Sequence, residues 1–126
     1  MNRVVVHAHA VAHEARVRTL LLLREGPLCA CDVAAVLRLE PTSTTRHLAV
    51  LRRAGLVTTE RHGRWDTARL ATAAPGVAAT LAWIEEGTDP GRAREDRERL
   101  REVLQIPDER RCGSAAASPR ARRAEA

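Results

Sequence analysis

The residues of this chain that are best suited to chemistry are its three cysteines, two of which stand in the run Cys29-Ala30-Cys31-Asp32. Thiolates are soft ligands and favour thiophilic ions such as arsenic(III), antimony(III), cadmium, lead and zinc. Arsenic(III) takes a pyramid of three ligands, so Cys29 and Cys31 need a third partner, and Cys112 is the only other thiol. The alternative interpretation is that Cys29 and Cys31 are small buried hydrophobic residues, which is the usual role of a buried cysteine.

The spacing of the two thiols has a mechanical consequence if both lie at the start of one helix. Residues i and i+2 of a regular helix point about 200° apart, so Cys29 and Cys31 cannot hold one ion without disturbing the helix. Three histidines near the N-terminus, His7, His9 and His13, are further candidates that could complete a zinc or cadmium site with the thiols. We expect these histidines instead to be exposed or to lie at a dimer surface.

A helix with a polar, arginine-bearing face is predicted at residues 42–54, ended by Gly55. At about 100° per residue, Thr44, Leu48 and Leu51 form its buried stripe. Arginine can bond base edges and phosphates, and small polar residues allow close approach to a DNA groove. The alternative is an ordinary solvated helix face. The residues proposed to contact DNA from this helix are Thr42, Ser43, Thr45, Arg46, His47 and Arg53.

Two short strands are predicted directly after this helix, at 56–61 and 64–69, with His62-Gly63 as the turn between them. The tip of the hairpin carries Arg61, His62 and Arg64, which suit contacts with phosphates or with the minor groove. Helices joined by a short turn and followed at once by such a hairpin have the order of a winged helix-turn-helix.

The other elements that must position these side chains are predicted to be helices. A helix at 11–24 places Val17, Leu20 and Leu21 on one face and is ended by Gly26-Pro27. Further helices are expected at 31–37, after Pro75, and at 92–104. The predicted fold is therefore mainly α with a small two-stranded β wing, in the order ααα-α-ββ-α(α), and dimeric. Residues 1–104 would form the DNA-binding and dimerisation domain, and residues 105–126 a basic, disordered tail.

The positive charge of the chain is concentrated in two regions. Residues 41–70 hold six arginines against Glu60 and Asp66, and residues 110–126 hold five arginines against Glu125. Phosphate backbones attract such regions through counterion release, which favours DNA as the partner.

Several classes of protein are not expected from this sequence. We find no nucleophile–base pair, glycine-rich phosphate loop or pair of catalytic acids, so we predict neither an enzyme nor an organic cofactor. No run of residues approaches the ~20 apolar positions of a membrane span. With no export signal, the three cysteines indicate a cytoplasmic protein with free thiols.

Three blocks of this sequence, at 13–21, 28–33 and 46–57, resemble the ArsR/SmtB family of winged-helix metal-sensing repressors. The segment 61–65 resembles the wing tip of the family. The run Cys29-Ala30-Cys31-Asp32 is similar to the metalloid-binding box of the arsenic and cadmium/lead sensors, although Ala34 stands where arsenic sensors often have a third cysteine. The helices expected after Pro75 contain no histidine, which argues against the zinc site that the family carries there.

The resemblance implies a homodimeric transcriptional repressor that leaves its DNA on binding arsenic(III) or antimony(III). Two-fold symmetry predicts an inverted-repeat operator, with the terminal helices forming the dimer. The metal ligands would be Cys29, Cys31 and Cys112. The alternatives are the same fold acting as a thiol redox sensor, a cadmium-, zinc- or lead-sensing repressor, or a winged helix that binds protein instead of DNA.

Overall fold

The computed structural model describes residues 2–62 and 65–107, except for the side chains of His62 and Trp65. Arg64 and Cys112, both predicted site residues, lie outside the described residues, as does most of the predicted tail. The chain forms α1 (Arg3–Ala10), α2 (Glu14–Leu23), β1 (Leu28–Cys29), α3 (Ala30–Leu37), α4 (Pro41–Arg53), β2 (Val57–His62), β3 (Trp65–Leu70), α5 (Val77–Gly87) and α6 (Pro90–Leu104). The prediction of a mainly α, winged helix-turn-helix fold is confirmed.

The helix predicted at 11–24 is α2, which begins at Glu14, three residues later than predicted, and a separate helix, α1, precedes it. The Asn2 side chain accepts the amide of Val4 at 3.0 Å and starts α1. After Val11 the chain turns, and His13 adopts an extended conformation in which its ring Nδ1 accepts the amide of Ala15 at 3.2 Å. A side chain that satisfies a free amide in this way fixes the start of a new helix.

The sheet has three strands and not the two that were predicted. Its order is β1-β3-β2, with both pairs antiparallel. The additional strand, β1, has only two residues, and it pairs Leu28 with Ala68 and Cys29 with Thr67. All four of these residues are buried, so the pairing gives partners to backbone groups that water cannot reach.

The core is aliphatic and lies between the helices and one face of the sheet. The predicted stripe of α4 is confirmed, since Thr44, Leu48 and Leu51 are all buried. Leu20 and Leu56 are completely buried beside it. None of the helices in the described part of the chain is both long and apolar enough to cross a membrane.

Helix α6 packs against α2 and α3 of its own chain. It begins at Pro90, two residues before the predicted start, because Asp89 caps it by accepting the amide of Gly91 at 3.3 Å. A proline in the first turn costs no hydrogen bond, so Asp-Pro is a favourable start for a helix. Leu100 and Val103 of α6 are buried in the core, which places this helix over the one that carries Cys31.

Candidate thiol site and DNA-facing surface

The two thiols lie at the junction between β1 and α3. Cys29 ends β1 and is the N-cap of α3, with φ −80° and ψ 160°, whereas Cys31 lies in the first turn of that helix. The geometry of two residues on one regular helix therefore does not apply to these thiols. Cys29 is extended at the end of the strand, whereas Cys31 is helical.

Cys29 is a buried thiol that donates a hydrogen bond to a buried carboxylate. Its side chain Sγ lies 3.2 Å from Oδ2 of Asp32, and both residues are only 2% exposed. The hydrogen bond with Cys31, burial and the negative charge of Asp32 all raise the pKa of the Cys29 thiol above its ordinary value of 9.0. Cys29 is therefore protonated at neutral pH, and the half-buried Cys31 is the more accessible of the two.

A third polar side chain, that of Thr67, lies opposite Cys29 on the neighbouring strand. The register pairs Cys29 with Thr67, and Thr67 is 4% exposed. Its hydroxyl is buried and makes no hydrogen bond with any other described residue. No feature of the sequence marked this threonine, because its position beside the thiol depends on the unpredicted pairing of β1 with β3.

The described residues supply part of a binding site for a thiophilic ion. They provide two adjacent soft donors, and the buried hydroxyl beside them is a hydrogen-bond donor without a partner in the described residues. Within residues 2–62 and 65–107, no group of three or more His, Cys, Asp or Glu side chains could hold a metal ion. A complete set of three ligands therefore requires a residue beyond this part, such as Cys112.

The N-terminal histidines do not join the thiols. His7 is buried, contrary to expectation, and its Nδ1 lies 2.8 Å from the hydroxyl of Thr80 on α5. That hydroxyl already donates to the carbonyl of Gly76 at 2.9 Å, so the His7 nitrogen must be the donor. His9 and His13 are exposed, as expected. The possible zinc or cadmium site of histidines and thiols is therefore not formed among these residues.

The outer face of α4 carries the residues that were predicted to contact DNA. Thr42, Thr45, Arg46 and Arg53 are exposed, and Ser43 and His47 are half-buried. In the wing, Arg61 is exposed and forms an ion pair with Asp66 at 3.5 Å. His62 ends β2, with its side chain outside the description.

Two histidine rings, one at the N-cap of α2 and one on α4, contact each other. This contact was not predicted from the sequence. The rings of His13, which caps α2, and His47 have centroids 4.5 Å apart and are tilted by 56°. Burial, and then the positive charges of His13 and Arg16, lower the pKa of His47 below its ordinary value of 6.5. Since this contact joins residues from two distant segments, no local sequence pattern could have revealed it.

The fold and these two surfaces define a winged helix-turn-helix protein with a thiol pair directly before its predicted DNA-reading helix. Residues 13–59 match the model of the family described as bacterial regulatory protein, arsR family. The chain therefore carries an arsR-family domain at residues 13–59, and the resemblance stated from the sequence is confirmed.

Two curated relatives extend this result. The chain is 44% identical over 61 residues to the arsenic resistance transcriptional regulator ArsR1 of Pseudomonas putida, covering 48% of each protein. It is 39% identical over 77 residues to the arsenical resistance operon repressor of Escherichia coli, covering 58% of this chain and 66% of that one. The chain thus spans about half the length of the first of these proteins and less than two thirds of the second. Both are named as regulators, in agreement with the prediction that this chain is not an enzyme.

Solved structures show the same fold. HlyU from Vibrio cholerae is 28% identical, with a TM-score of 0.60, over 67% of this chain and 89% of that one. The homodimeric winged helix-turn-helix DNA-binding domain Mb0332 from Mycobacterium bovis is 26% identical, with a TM-score of 0.58, over 66% of this chain and 75% of that one.

Proposed function

We propose that this protein is a homodimeric transcriptional repressor that binds an inverted-repeat operator and leaves it when arsenic(III) or antimony(III) binds its thiols. The observation that carries the proposal is the place of the two thiols, with Cys29 as the N-cap of α3 and Cys31 in the first turn of that helix, which is the first helix of the helix-turn-helix. Arsenic resistance in the names of two relatives supports this choice of ligand. Residues 1–104 would act as one DNA-binding and dimerisation domain.

The proposed reader of the operator is α4. Thr42, Ser43, Thr45, Arg46 and His47 would enter the major groove, where Arg46 can bond a guanine edge with two hydrogen bonds. Arg53, Arg61, His62 and Arg64 would contact phosphates or the minor groove. Arg61 would have to leave its ion pair with Asp66 to contact a phosphate. This costs little, because the pair is exposed and such pairs contribute only about 0–1 kcal/mol.

The proposed dimer surface consists of α1 and α5, which leave large apolar side chains in contact with water. Val4 and Val5 on α1 are 75% and 60% exposed, and Trp83 on α5 is 61% exposed. Clustered exposed apolar residues usually mark a protein interface. Helix α6, the other candidate for this role, buries its apolar edge within its own chain.

At the thiol site, Cys29 and Cys31 would bind the metalloid with Cys112 as the third ligand. Each new sulfur–arsenic bond replaces an arsenic–oxygen bond of arsenite, and the thiol proton leaves with the released hydroxide as water. Because this exchange starts from thiols, it is compatible with the raised pKa of Cys29.

Release of DNA would follow from strain at the junction. Drawing Cys29, Cys31 and a third ligand together displaces the start of α3, which packs directly against α4. Coupling between two sites of this kind typically amounts to 1–3 kcal/mol, or about 5- to 150-fold in DNA affinity.

The test is fluorescence anisotropy of the reduced protein on DNA from its own upstream region, titrated separately with arsenite, antimonite, cadmium, lead, zinc and peroxide. We expect arsenite or antimonite to release the wild-type protein and the Ala30→Ser control. Cys31→Ser should bind DNA normally and not respond. Cys112→Ser tests the third ligand, because loss of the response assigns it this role.

Other results would select an alternative. Release by peroxide alone would indicate a redox sensor, and release by cadmium, lead or zinc alone a divalent-ion sensor. Failure to bind specific DNA under any condition, with Arg46→Ala and Arg53→Ala equally without effect, would favour a protein-binding winged helix.

A further inference from the structure

The side chain of Thr67 lies on the same face of the sheet as Cys29. Directly opposed residues of an antiparallel pair point to the same side, with Cβ atoms about 5 Å apart. Asp66 and Ala68, the neighbours of Thr67, line a cleft of about 130 Å³ against α4 together with Thr59 of β2. Since side chains alternate along a strand, Thr67 points to the other face, with Cys29.

The buried hydroxyl of Thr67 is a hydrogen-bond donor that the free protein does not use within the described residues. Buried polar groups are nearly always satisfied, and one that is not requires an explanation. Valine has the same shape and would avoid the unsatisfied hydroxyl at this position. The neighbouring sulfur provides a reason for a hydroxyl here.

Ligand binding would change what the Cys29 sulfur needs from its surroundings. In the free protein the Cys29 thiol donates a hydrogen bond to the carboxylate of Asp32, with 3.2 Å between Sγ and Oδ2. A sulfur bound to a metalloid has no proton, so it can no longer donate to Asp32 and can only accept. Thr67, the residue paired with Cys29 across the strands, carries a hydroxyl that can donate.

Resting on the proposed function, we propose that Thr67 is a positioning residue for the ligand-bound state: its hydroxyl donates a hydrogen bond to the Cys29 sulfur once that sulfur has bound arsenic(III) or antimony(III). Hydrogen bonds to a ligating atom orient it and strengthen its hold on the metal. Thr67 lies in β3, the central strand, next to Asp66, the ion-pair partner of Arg61. The same hydrogen bond therefore connects the occupied thiol site to the wing.

The test compares Thr67→Val, which keeps the shape and removes the hydroxyl, with Thr67→Ser, which keeps the hydroxyl. Thr59→Val is the matched control, because Thr59 is an exposed threonine of the same sheet. Arsenite binding by the full-length reduced protein is followed through the ultraviolet absorbance of arsenic–sulfur bonds. Hydrogen exchange of the amides in the β1–β3 pair, with and without arsenite, provides a readout that does not depend on DNA release.

We expect Thr67→Val to fold and bind DNA like the wild type and to bind arsenite about 10-fold or more weakly, the usual effect of losing such a support. Thr67→Ser and Thr59→Val should bind arsenite within about 2-fold of the wild type. Arsenite should slow exchange at Cys29 and Thr67 in the wild type and the Ser variant and have a smaller effect in the Val variant.

Equal arsenite affinity of Thr67→Val and the wild type would overturn the proposal. So would a Ser variant as weak as the Val variant, because the hydroxyl would then not be the cause. If Thr67→Val does not fold, two measurements still test the proposal. They are the arsenite affinity of Thr67→Ser and the amide hydrogen exchange of the wild type with and without arsenite. A wild-type protein that forms no arsenic–sulfur bonds would refute the proposed function itself, and this inference with it.

Discussion

The ion pair between Arg18 of α2 and Asp96 of α6 should contribute measurably to the stability of this protein. Arg18 donates from Nε at 2.9 Å and from Nη2 at 2.8 Å to the two carboxylate oxygens of Asp96. Their side chains are only 20% and 10% exposed, and the pKa of Arg18 is raised by its hydrogen bond to Asp96. An ion pair that is largely buried and makes two parallel hydrogen bonds is stronger than an exposed ion pair.

Asp96→Asn removes the negative charge and one of the two acceptors while keeping the shape of the side chain. A hydrogen bond to a charged group contributes about 1.5–3 kcal/mol, and water reaching Arg18 offsets part of the loss. We therefore expect the free energy of unfolding to fall by about 2 kcal/mol. For a urea m-value of about 2 kcal/mol/M, the unfolding midpoint should fall by about 1 M.

The assay is urea unfolding followed by far-ultraviolet circular dichroism, with Glu95→Gln as control. Glu95 precedes Asp96 on the same helix and is exposed, so its substitution also removes one negative charge but should leave the midpoint within about 0.2 M. Arg18→Gln completes a double-mutant cycle that isolates the interaction between the two residues. A midpoint for Asp96→Asn that matches the control would refute the reasoning and show that the apolar edge of α6 alone holds it in place.

Three other results are expected. Because burial, His13 and Arg16 lower the pKa of His47 when the chain folds, the contribution of this group to stability is fully present above pH ~6.5 and is lost as the pH falls through the folded-state value. His47→Gln should therefore weaken the acid destabilisation seen in thermal unfolding at a series of pH values, and an unchanged pH profile would contradict this. Arg38→Gly should raise the free energy of unfolding by about 0.5–1 kcal/mol in urea, since Arg38 ends α3 at φ +56° and glycine takes this conformation without strain. Arg46→Ala should weaken specific binding by about 1–3 kcal/mol if Arg46 reads a base, whereas a uniform loss with a smaller salt dependence would assign it to a phosphate.

The elements with a strong local pattern could be predicted from the sequence. Helix α4 is 13 residues long, it begins with Pro41 and its apolar positions repeat with the helical period, so its buried face was predicted correctly and its span to within one residue at each end. The wing strands were each displaced by one residue, to Val57–His62 and Trp65–Leu70. These features depend on residues close in sequence, and the physical rules for them are local.

Other elements could not be predicted, because distant contacts form them. The strand Leu28–Cys29 is too short to carry a periodic pattern, and it exists because β3 has a free edge beside it. The break between α1 and α2 depends on His13, a residue type that rarely caps a helix. At the candidate site, the sequence marked Cys29 and Cys31 as a thiol pair, whereas the neighbouring hydroxyl of Thr67 required the sheet. The assignments of residues to DNA or to a metal ion, including those of Arg64 and Cys112, all stay predictions.

The position of the thiols explains how a pair with this spacing would serve the proposed sensing function. Cys29 belongs to β1, which is hydrogen-bonded to the central strand of the wing, and it also caps α3, which packs against α4. A ligand that displaces this one residue therefore acts on both elements that are proposed to contact DNA. Two thiols in the middle of a helix would instead point apart, and binding would have to unwind the helix first. At its N-cap the backbone is already extended, so the strain of ligand binding can pass to the sheet and the reading helix together.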